Sequence, residues 1–186
     1  MKSRVVHLKS GFTLIELLIV ITISGLLILT GIFTFGKALK QLRLEMLSEE
    51  VATSFEFAKN SVRSGDRNSQ AEPQCRGLGF DTASNSYSLV SMPYLDGLCV
   101  IGEQMLSENI VIPSGIEIVD IEHENGIGSD DSFMVILNPP NAKVKFYSAQ
   151  GDPNEALSIS VTFAYTGSDY PVRRTVTIYS SGQVNY

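Results

Sequence analysis

The chain has few of the residues that build catalytic and metal centres. Its 186 residues include two cysteines, two histidines and no tryptophan. We find no His-Glu-x-x-His sequence, paired-cysteine metal motif or glycine-rich phosphate loop. Gly77-Leu78-Gly79 is too short to count as such a loop. The sequence therefore predicts no enzyme activity, no metal site and no cofactor.

Charge is almost absent from residues 12–35. Glu16 is the only formally charged residue among these 24. At about 1.5 Å per residue, a helix of this length is roughly 36 Å long, more than the roughly 30 Å hydrocarbon core of a bilayer. The segment is long enough to span a membrane. A carboxylate at this depth is costly and usually has a partner or a function, although an ordinary signal anchor also tolerates an acid near one end.

The residues before the apolar segment contain no acid. The stretch MKSRVVHLKSG carries Lys2, Arg4 and Lys9. Basic residues beside a span stay in the cytoplasm, which predicts that the chain after residue 35 lies on the far side of the inner membrane. A secretory signal peptide has a shorter apolar core, of about 7 to 15 residues, followed by its cleavage site. Here the Gly11-Phe12 junction precedes the apolar segment.

The sequence GFTLIE at residues 11–16, behind its basic leader, resembles the class III signal of type IV prepilins and type II secretion pseudopilins. The resemblance implies that prepilin peptidase cleaves after Gly11 and that Phe12 becomes an N-methylated first residue. It also implies that the Glu16 carboxylate pairs with the free amine of a neighbouring subunit's first residue during filament assembly. Because an unpaired charge is costly in low dielectric, this pair forms only when subunits stack in register.

Proline is absent from residues 12–70. Beyond the apolar segment, hydrophobic residues recur at spacings of three and four, which is typical of one face of an amphipathic helix: Leu44, Leu47, Val51, Phe55, Ala58 and Val62. One helix is therefore expected from Phe12 to about Ser64, with Gly65 as its stop. Three glycines near the apolar stretch favour either close helix packing or local melting on entry into a filament: Gly25, Gly31 and Gly36.

After the helix, the sequence predicts an antiparallel β-rich domain. After Gly65, the polar residues up to Gln74, among them Ser, Asn and Gln, are predicted to form a loop. Short segments with β-branched and aromatic residues follow, separated by turn-rich sequences: residues 87–92, 110–112, 116–121, 133–137, 143–147, 157–164 and 175–179. The predicted class is α+β, with the second half of the helix packed on the β-rich domain, as in the pilin fold.

Four segments follow from this division. The predicted domains are a cytoplasmic leader that is removed (1–11), a transmembrane and assembly helix (12–35), its amphipathic continuation (36–64) and a β-rich periplasmic domain (65–186).

The C-terminal sequence VRRTVTIYSSGQVNY predicts a strand, a Ser-Ser-Gly turn and a final short strand. This pattern resembles the closing hairpin of GspH/FimT-type minor pseudopilins and pilins. Some pilins of that group bind DNA through a Gly-Arg-x-Arg tail, whereas this chain reads Gly-Gln-Val-Asn at residues 182–185. Residues 64–186 also contain six basic and fifteen acidic residues, a net charge of −9, which disfavours phosphate contacts unless the cations cluster.

The basic residues of this acidic domain include one candidate cluster for phosphate contacts. Arg173 and Arg174 would form it with Lys143 or Lys145. The alternative is an exposed strand edge that these charges keep soluble. The acidic segment at residues 117–131 likewise raises a calcium hypothesis, because hard cations prefer oxygen ligands. Its spacing fits no EF-hand loop, and we favour a solvated acidic loop.

Cys75 and Cys99 both follow the membrane segment. If that side is the oxidising periplasm, a disulfide between them is expected. Closing a loop of about 25 residues would contribute roughly 3.5 kcal/mol on the chain-entropy model. Free thiols and a metal site are the alternatives, although zinc needs more ligands than His123 and two cysteines supply.

These features predict a non-enzymatic structural subunit, a minor pseudopilin or minor pilin, of a type II secretion or type IV pilus filament. Its expected partners are other pilin or pseudopilin subunits, prepilin peptidase and the inner-membrane assembly platform, and nucleic acid is not expected. The predicted location is the bacterial inner membrane, crossed once, before incorporation into a periplasmic or surface filament. The alternatives are a DNA-binding minor pilin for natural transformation and a membrane-anchored binding domain that never polymerises.

Overall fold

The computed structural model describes residues 13–65, 74–101, 106–124, 131–148, 153–154, 156–166 and 172–186. These residues form one helix and eleven strands: α1 (Leu14–Ser64), β1 (Gln74–Asp81), β2 (Ser86–Leu95), β3 (Leu98–Cys99), β4 (Leu106–Val111), β5 (Ile116–His123), β6 (Ser132–Asn138), β7 (Lys143–Ser148), β8 (Pro153–Asn154), β9 (Ser158–Tyr165), β10 (Arg173–Tyr179) and β11 (Val184–Asn185). The chain divides into two compact units, Met1–Leu39 and Lys40–Tyr186, and α1 contributes to both.

Helix α1 ends at Ser64, as the sequence predicts. Gly65 follows with a φ of +68°, a left-handed conformation that glycine adopts without steric cost and that commonly terminates helices. All six residues of the predicted apolar face are buried in the second half of α1. The buried hydroxyl of Ser48 on the same face donates to the Leu44 carbonyl at 2.8 Å, so this face carries no unsatisfied hydroxyl into the core.

The strands form two antiparallel sheets, which confirms the predicted α+β class. The larger sheet has the order β3-β2-β1-β6-β7-β8, with β4 also paired to β2, and the smaller sheet has the order β11-β10-β9-β5. One hydrophobic core joins the buried face of α1 to one face of each sheet, for example Val135 of β6 and Val176 of β10. Each of the seven predicted segments overlaps an observed strand.

Strand β1 was not predicted, because residues up to Gln74 were expected to be a loop and QCRGLGFD has a weak strand composition. In the structure it lies inside the larger sheet, paired with β2 on one side and β6 on the other. A Cβ at Gly77 would overlap the carbonyl oxygen of Val135 on β6. The glycine that lowers local strand propensity is therefore required by the close approach of the neighbouring strand.

A second, smaller core covers the opposite face of the larger sheet. It contains Cys75, Val90, Met92, Ile136 and Tyr147. Alternation along β6 separates the two cores, since its odd-numbered apolar residues enter the first and Ile136 enters the second. The predicted disulfide is formed between Cys75 of β1 and Cys99 of β3, and it ties the β2–β3 hairpin to this face.

Asn85 joins the two sheets at the β1–β2 turn. Its φ is +47°, which asparagine tolerates better than most residues. The side-chain amide donates to the Ile116 carbonyl at 2.8 Å, and its oxygen accepts from the Ile118 N–H at 3.0 Å. The side chain thereby occupies hydrogen-bonding groups on β5, the edge strand of the smaller sheet.

Candidate functional site

The first turn of α1 brings Glu16 to Thr13. The Glu16 N–H donates to Thr13 Oγ1 at 3.3 Å, while Glu16 Oε2 accepts from the Thr13 N–H and hydroxyl, both at 3.4 Å. This reciprocal pattern is a capping box, and the helix dipole also favours an acid at this end. A Thr-x-x-Glu sequence before an apolar run indicates such a contact, yet capping was not among the roles expected for Glu16.

The capping contacts leave Glu16 available to a further partner. The residue is exposed, the two bonds to its carboxylate are long for hydrogen bonds, and an ionised carboxylate has about four acceptor positions. Capping therefore holds the carboxylate at the start of the helix without using all of its capacity. Gly11 and Phe12, the predicted cleavage and methylation positions, lie outside the described residues.

The first half of α1 presents apolar side chains on every side. Between residues 14 and 29, the exposed fractions of twelve large apolar side chains run from 50% to 82%. The hydroxyls of Thr22 and Thr30 each donate to two carbonyls of the preceding turn, at 2.9 to 3.2 Å. Because these hydroxyls are satisfied within the helix, the surface suits a medium without hydrogen-bonding partners. By length and composition this helix can cross a membrane.

Part of this apolar character continues along the outer side of α1 within the second unit. Leu42, Met46 and Phe57 are 51%, 61% and 59% exposed. At about 100° per residue, Leu42 and Met46 lie roughly 160° from the buried Leu44. The second half of α1 therefore has a buried apolar face and, on the opposite side, three exposed apolar side chains, with the exposed Glu49, Glu50 and Thr53 between Met46 and Phe57. Leu42 and Met46, one helical turn apart, are neighbours on this side, whereas Phe57 lies three turns further along.

The four candidate cations are divided between two sheets. Arg173 and Arg174 are exposed at the start of β10, while Lys143 and Lys145 lie on β7 of the larger sheet. Strand β10 pairs with β9 along its length and with β11 only at Thr177 and Ile178. The two arginines thus occupy the part of an edge strand that β11 leaves uncovered, which fits the interpretation of a charged, solubilising edge.

The acidic segment is not a loop over its first half. Glu117 and Glu122 lie on β5 with exposed side chains, between the buried residues Ile116, Ile118 and Ile121. The loop interpretation was wrong there because alternating burial makes this segment an amphipathic strand; residues 125–130 lie outside the described part of the chain. Within that part, no group of three or more His, Cys, Asp or Glu side chains is arranged to hold a metal ion.

The C-terminal hairpin packs on α1. Strands β10 and β11 flank a turn in which Gly182 has a φ of +80°, as the Ser-Ser-Gly pattern predicts. Lys59 of α1 donates to the Gly182 carbonyl at 2.6 Å and to Glu56 Oε1 at 2.8 Å. No local pattern indicates the lysine–glycine contact, since its partners are 123 residues apart. The turn is thereby attached to the helix.

Comparison with known proteins connects the N-terminal segment to a family. Residues 7–32 match the family model of the prokaryotic N-terminal methylation motif. No curated protein and no solved structure matches the chain. The matched residues include the Gly11-Phe12 junction, Glu16 and most of the apolar stretch. They support a type IV pilin-like protein that is processed as a prepilin, anchored in a membrane and associated with other pilin subunits and processing machinery; such proteins are typically structural.

Proposed function

We propose that the chain is a minor pseudopilin or minor pilin of the GspH/FimT type. It is a structural subunit of a type II secretion or type IV pilus filament, cleaved after Gly11 and N-methylated at Phe12. The observation that carries the proposal is the methylation motif at residues 7–32, placed at the start of a helix whose apolar surface is exposed. The closing hairpin, with its arginine-bearing strand and Ser-Ser-Gly turn, supports the subgroup.

Membrane topology follows from the same segments. Residues 1–11 form the cytoplasmic leader, residues 12–35 cross the inner membrane once, and residues 36–64 continue the helix into a periplasmic domain formed by residues 65–186. The Cys75–Cys99 disulfide supports this side of the membrane, because disulfides persist in the oxidising periplasm and are rare in the cytosol.

Assembly depends on Glu16. In lipid, its carboxylate is held at the helix start by Thr13, a partner that compensates the charge only weakly. Cleavage creates a cationic amine at Phe12, and the amine of a neighbouring subunit compensates the carboxylate better, because opposite charges attract strongly in low dielectric. The prepilin peptidase, the inner-membrane assembly platform and other pilin subunits are therefore the expected partners.

The exposed side of the second half of α1 is consistent with contact to a neighbouring subunit. Leu42, Met46 and Phe57 are exposed on the side opposite the core, and a filament of parallel helices would cover these side chains. DNA uptake receives less support, since the cations are divided between sheets and the C-terminal turn is attached to Lys59. A membrane-anchored domain that never polymerises would leave Glu16 without a charged partner and these three side chains exposed.

Two variants test the proposal. Gly11→Leu should block cleavage, because the junction then lacks its small residue, and leave a precursor about eleven residues longer on a gel; Ser10→Ala is the control. Glu16→Ala should be inserted and cleaved normally but reduce filament incorporation about tenfold or more, since a desolvated charge pair is lost. Mass spectrometry of the mature N-terminus should find methyl-phenylalanine. Normal cleavage of Gly11→Leu, or normal incorporation of Glu16→Ala, would contradict the corresponding role.

A further inference from the structure

Acidic residues are absent from α1 between Glu16 and Glu45, and the basic residues of this stretch all lie near its end. Lys37, Lys40 and Arg43 recur there at spacings of three. Basic residues beside a membrane span are usually kept on the cytoplasmic side, whereas the proposed topology places these three on the far side. A local partner on that side would explain their position.

Lys40 and Arg43 belong to the second compact unit. The Lys40 ammonium lies 5.5 Å from the centroid of the Tyr165 ring, which is at the end of β9. This cation–π contact fixes the direction of the lysine side chain, while Arg43 is exposed. Neither cation forms a hydrogen bond or an ion pair within the described residues. Both therefore have N–H donors available for an anion.

The two cations lie close to the predicted span. Lys40 and Arg43 follow residue 35 by five and eight residues, which corresponds to roughly 8 and 12 Å along a helix. Side chains on a helix tilt toward its N-terminus, so both charged groups lie nearer to the span than their own backbone. Since the headgroup layer adds about 5 to 8 Å on each side of the hydrocarbon core, both side chains reach the level of lipid phosphates.

The acids nearest to this position point elsewhere. Glu45 lies about 140° around the helix from Lys40 and about 160° from Arg43. Glu117 is exposed on the face of β5 that is turned away from the core. Asp81 accepts its two hydrogen bonds within the β1–β2 turn. The cations are therefore not neutralised by these carboxylates.

An uncharged loop lies at the same end of this unit. The loop at residues 111–115 is placed there because the Thr166 N–H, next to Tyr165, donates to the Gly115 carbonyl at 3.0 Å. It contains no acid, and Val111 is 79% exposed. Two cations, an aromatic ring and an uncharged loop thus occur together, a combination that suits the membrane–water interface.

We propose that Lys40 and Arg43 bind the phosphates of anionic phospholipids on the far face of the membrane that α1 crosses. The binding depends on the topology given under the proposed function, in which residues 36–64 follow the span, and Lys37 adds to the local positive charge. Because residues 64–186 carry a net charge of −9, an anionic surface repels most of the domain. Attraction is confined to the end that carries these cations.

Fluorescence quenching in vesicles tests this contact, since the chain has no tryptophan. Tyr165→Trp places a single reporter beside Lys40 and keeps an aromatic ring under the ammonium. The full-length chain is reconstituted into phosphatidylcholine vesicles that contain a lipid with a nitroxide near the top of its acyl chain. This lipid has either a phosphatidylglycerol or a phosphatidylcholine headgroup. Insertion in either direction exposes the reporter to the same lipid mixture.

The anionic labelled lipid should reach half-maximal quenching at an about 25-fold lower fraction than the zwitterionic one. This ratio corresponds to about 1 kcal/mol for each of the two cations. Raising the salt concentration should reduce the difference through screening. Equal half-quenching fractions for the two labelled lipids would overturn the proposal.

A matched pair of variants identifies the cations. Arg43→Gln should reduce the preference for the anionic lipid about fivefold, whereas Lys143→Gln, which removes the same charge elsewhere, should leave it unchanged. Lys143 is exposed, and its neighbour Val144 lies next to the C-terminal turn that Lys59 binds, roughly 28 Å along α1 from Lys40. Equal effects of the two variants, with helix content unchanged, would contradict the assignment.

Inorganic phosphate distinguishes a lipid surface from a free anion. Added at constant ionic strength, it should leave the preference for the anionic lipid unchanged. Loss of the preference would mean that the cations bind free phosphate, and the proposal would be wrong. Cleavage at Gly11 is not needed in the vesicle measurement, so its failure contradicts only the proposed function.

Discussion

The two halves of α1 belong to one helix but are built for different surroundings. Between residues 14 and 29 the large apolar side chains are exposed in every direction, whereas between residues 44 and 62 the apolar face is buried against two sheets. In the first half, the hydroxyls of Thr22 and Thr30 donate to carbonyls of the same helix, whereas in the second half Lys59 donates to the carbonyl of the distant Gly182. Both halves have the same helical backbone hydrogen bonds. The distribution of apolar side chains around the helix determines whether lipid or protein packs against each half.

The comparison shows that exposed apolar side chains have different explanations in the two halves of α1. Exposed leucines in the first half are expected for a lipid-facing helix. In the second half, Leu42, Met46 and Phe57 are exposed on the side of the helix opposite a complete protein core. A membrane would cover the first set, and under the proposed function a neighbouring subunit would cover the second.

The largest expected effect separates two phenylalanines of the same helix. Phe55 is fully buried and Phe57 is 59% exposed. Phe55→Ala should lower the free energy of unfolding by about 3–5 kcal/mol, since it leaves a cavity in the core. Phe57→Ala should change it by less than about 0.5 kcal/mol. Denaturant unfolding of the full chain in detergent measures both, and similar losses for the two variants would refute the assignment of the helix faces.

The next largest effect distinguishes a glycine in the apolar half of α1 from a glycine in β1. A Cβ at Gly25 or Gly36 would have no neighbour within 4 Å, whereas one at Gly77 would overlap the Val135 carbonyl. Gly77→Ala should therefore destabilise the β-rich unit by about 1–3 kcal/mol, because β1 and β6 must separate. Gly25→Ala should leave thermal unfolding of that unit unchanged. An unchanged melting temperature for Gly77→Ala would show that the strands accommodate a methyl group.

The smallest effect concerns a polar contact on the second half of α1. The Tyr87 hydroxyl donates to Glu50 Oε1 at 3.0 Å, and burial, followed by this carboxylate, raises the pKa of Tyr87 above its usual value of 10.0. The folded state therefore keeps a proton that the unfolded state loses near pH 10, so stability should fall as pH rises above about 10.

Tyr87→Phe checks this contact. It should cost about 1 kcal/mol at pH 7 through loss of the hydrogen bond and should weaken the decline above pH 10. Burial also raises the pKa of Tyr147, so part of the decline should remain in the variant. Chemical unfolding at pH 7 to 11 provides the comparison, and identical slopes for wild type and variant would exclude Tyr87 as a source.

Local patterns were sufficient for much of α1 and the candidate site. The spacing of Leu44 to Val62 predicted the buried face, and Gly65 predicted the helix end. The disulfide was predictable because only two cysteines are present. The Thr-x-x-Glu pattern of Thr13 and Glu16 is also a local signal for the capping box, a role separate from the charge of Glu16 in lipid.

Long-range contacts explain what local patterns missed. Strand β1 has poor strand composition, and its place between β2 and β6 depends on Gly77 allowing a close approach. The hydrogen bonds from the Asn85 side chain to β5 and the hydrogen bond from Lys59 to Gly182 join residues more than 30 positions apart. The density of acidic residues in β5 favours a loop, whereas their alternation with buried isoleucines is typical of a strand.

The amino-acid sequence by itself determined the processing signal, the apolar span, the helix and its inward face, since each depends on residues within a few turns of one another. Only the tertiary structure decided the central place of β1, the exposure of Leu95 and Leu98 at the turn between β2 and β3, and the groove beside Arg76. The physical reason is that pairing and burial at these positions depend on which distant backbone approaches, and side-chain periodicity along the chain does not encode that choice.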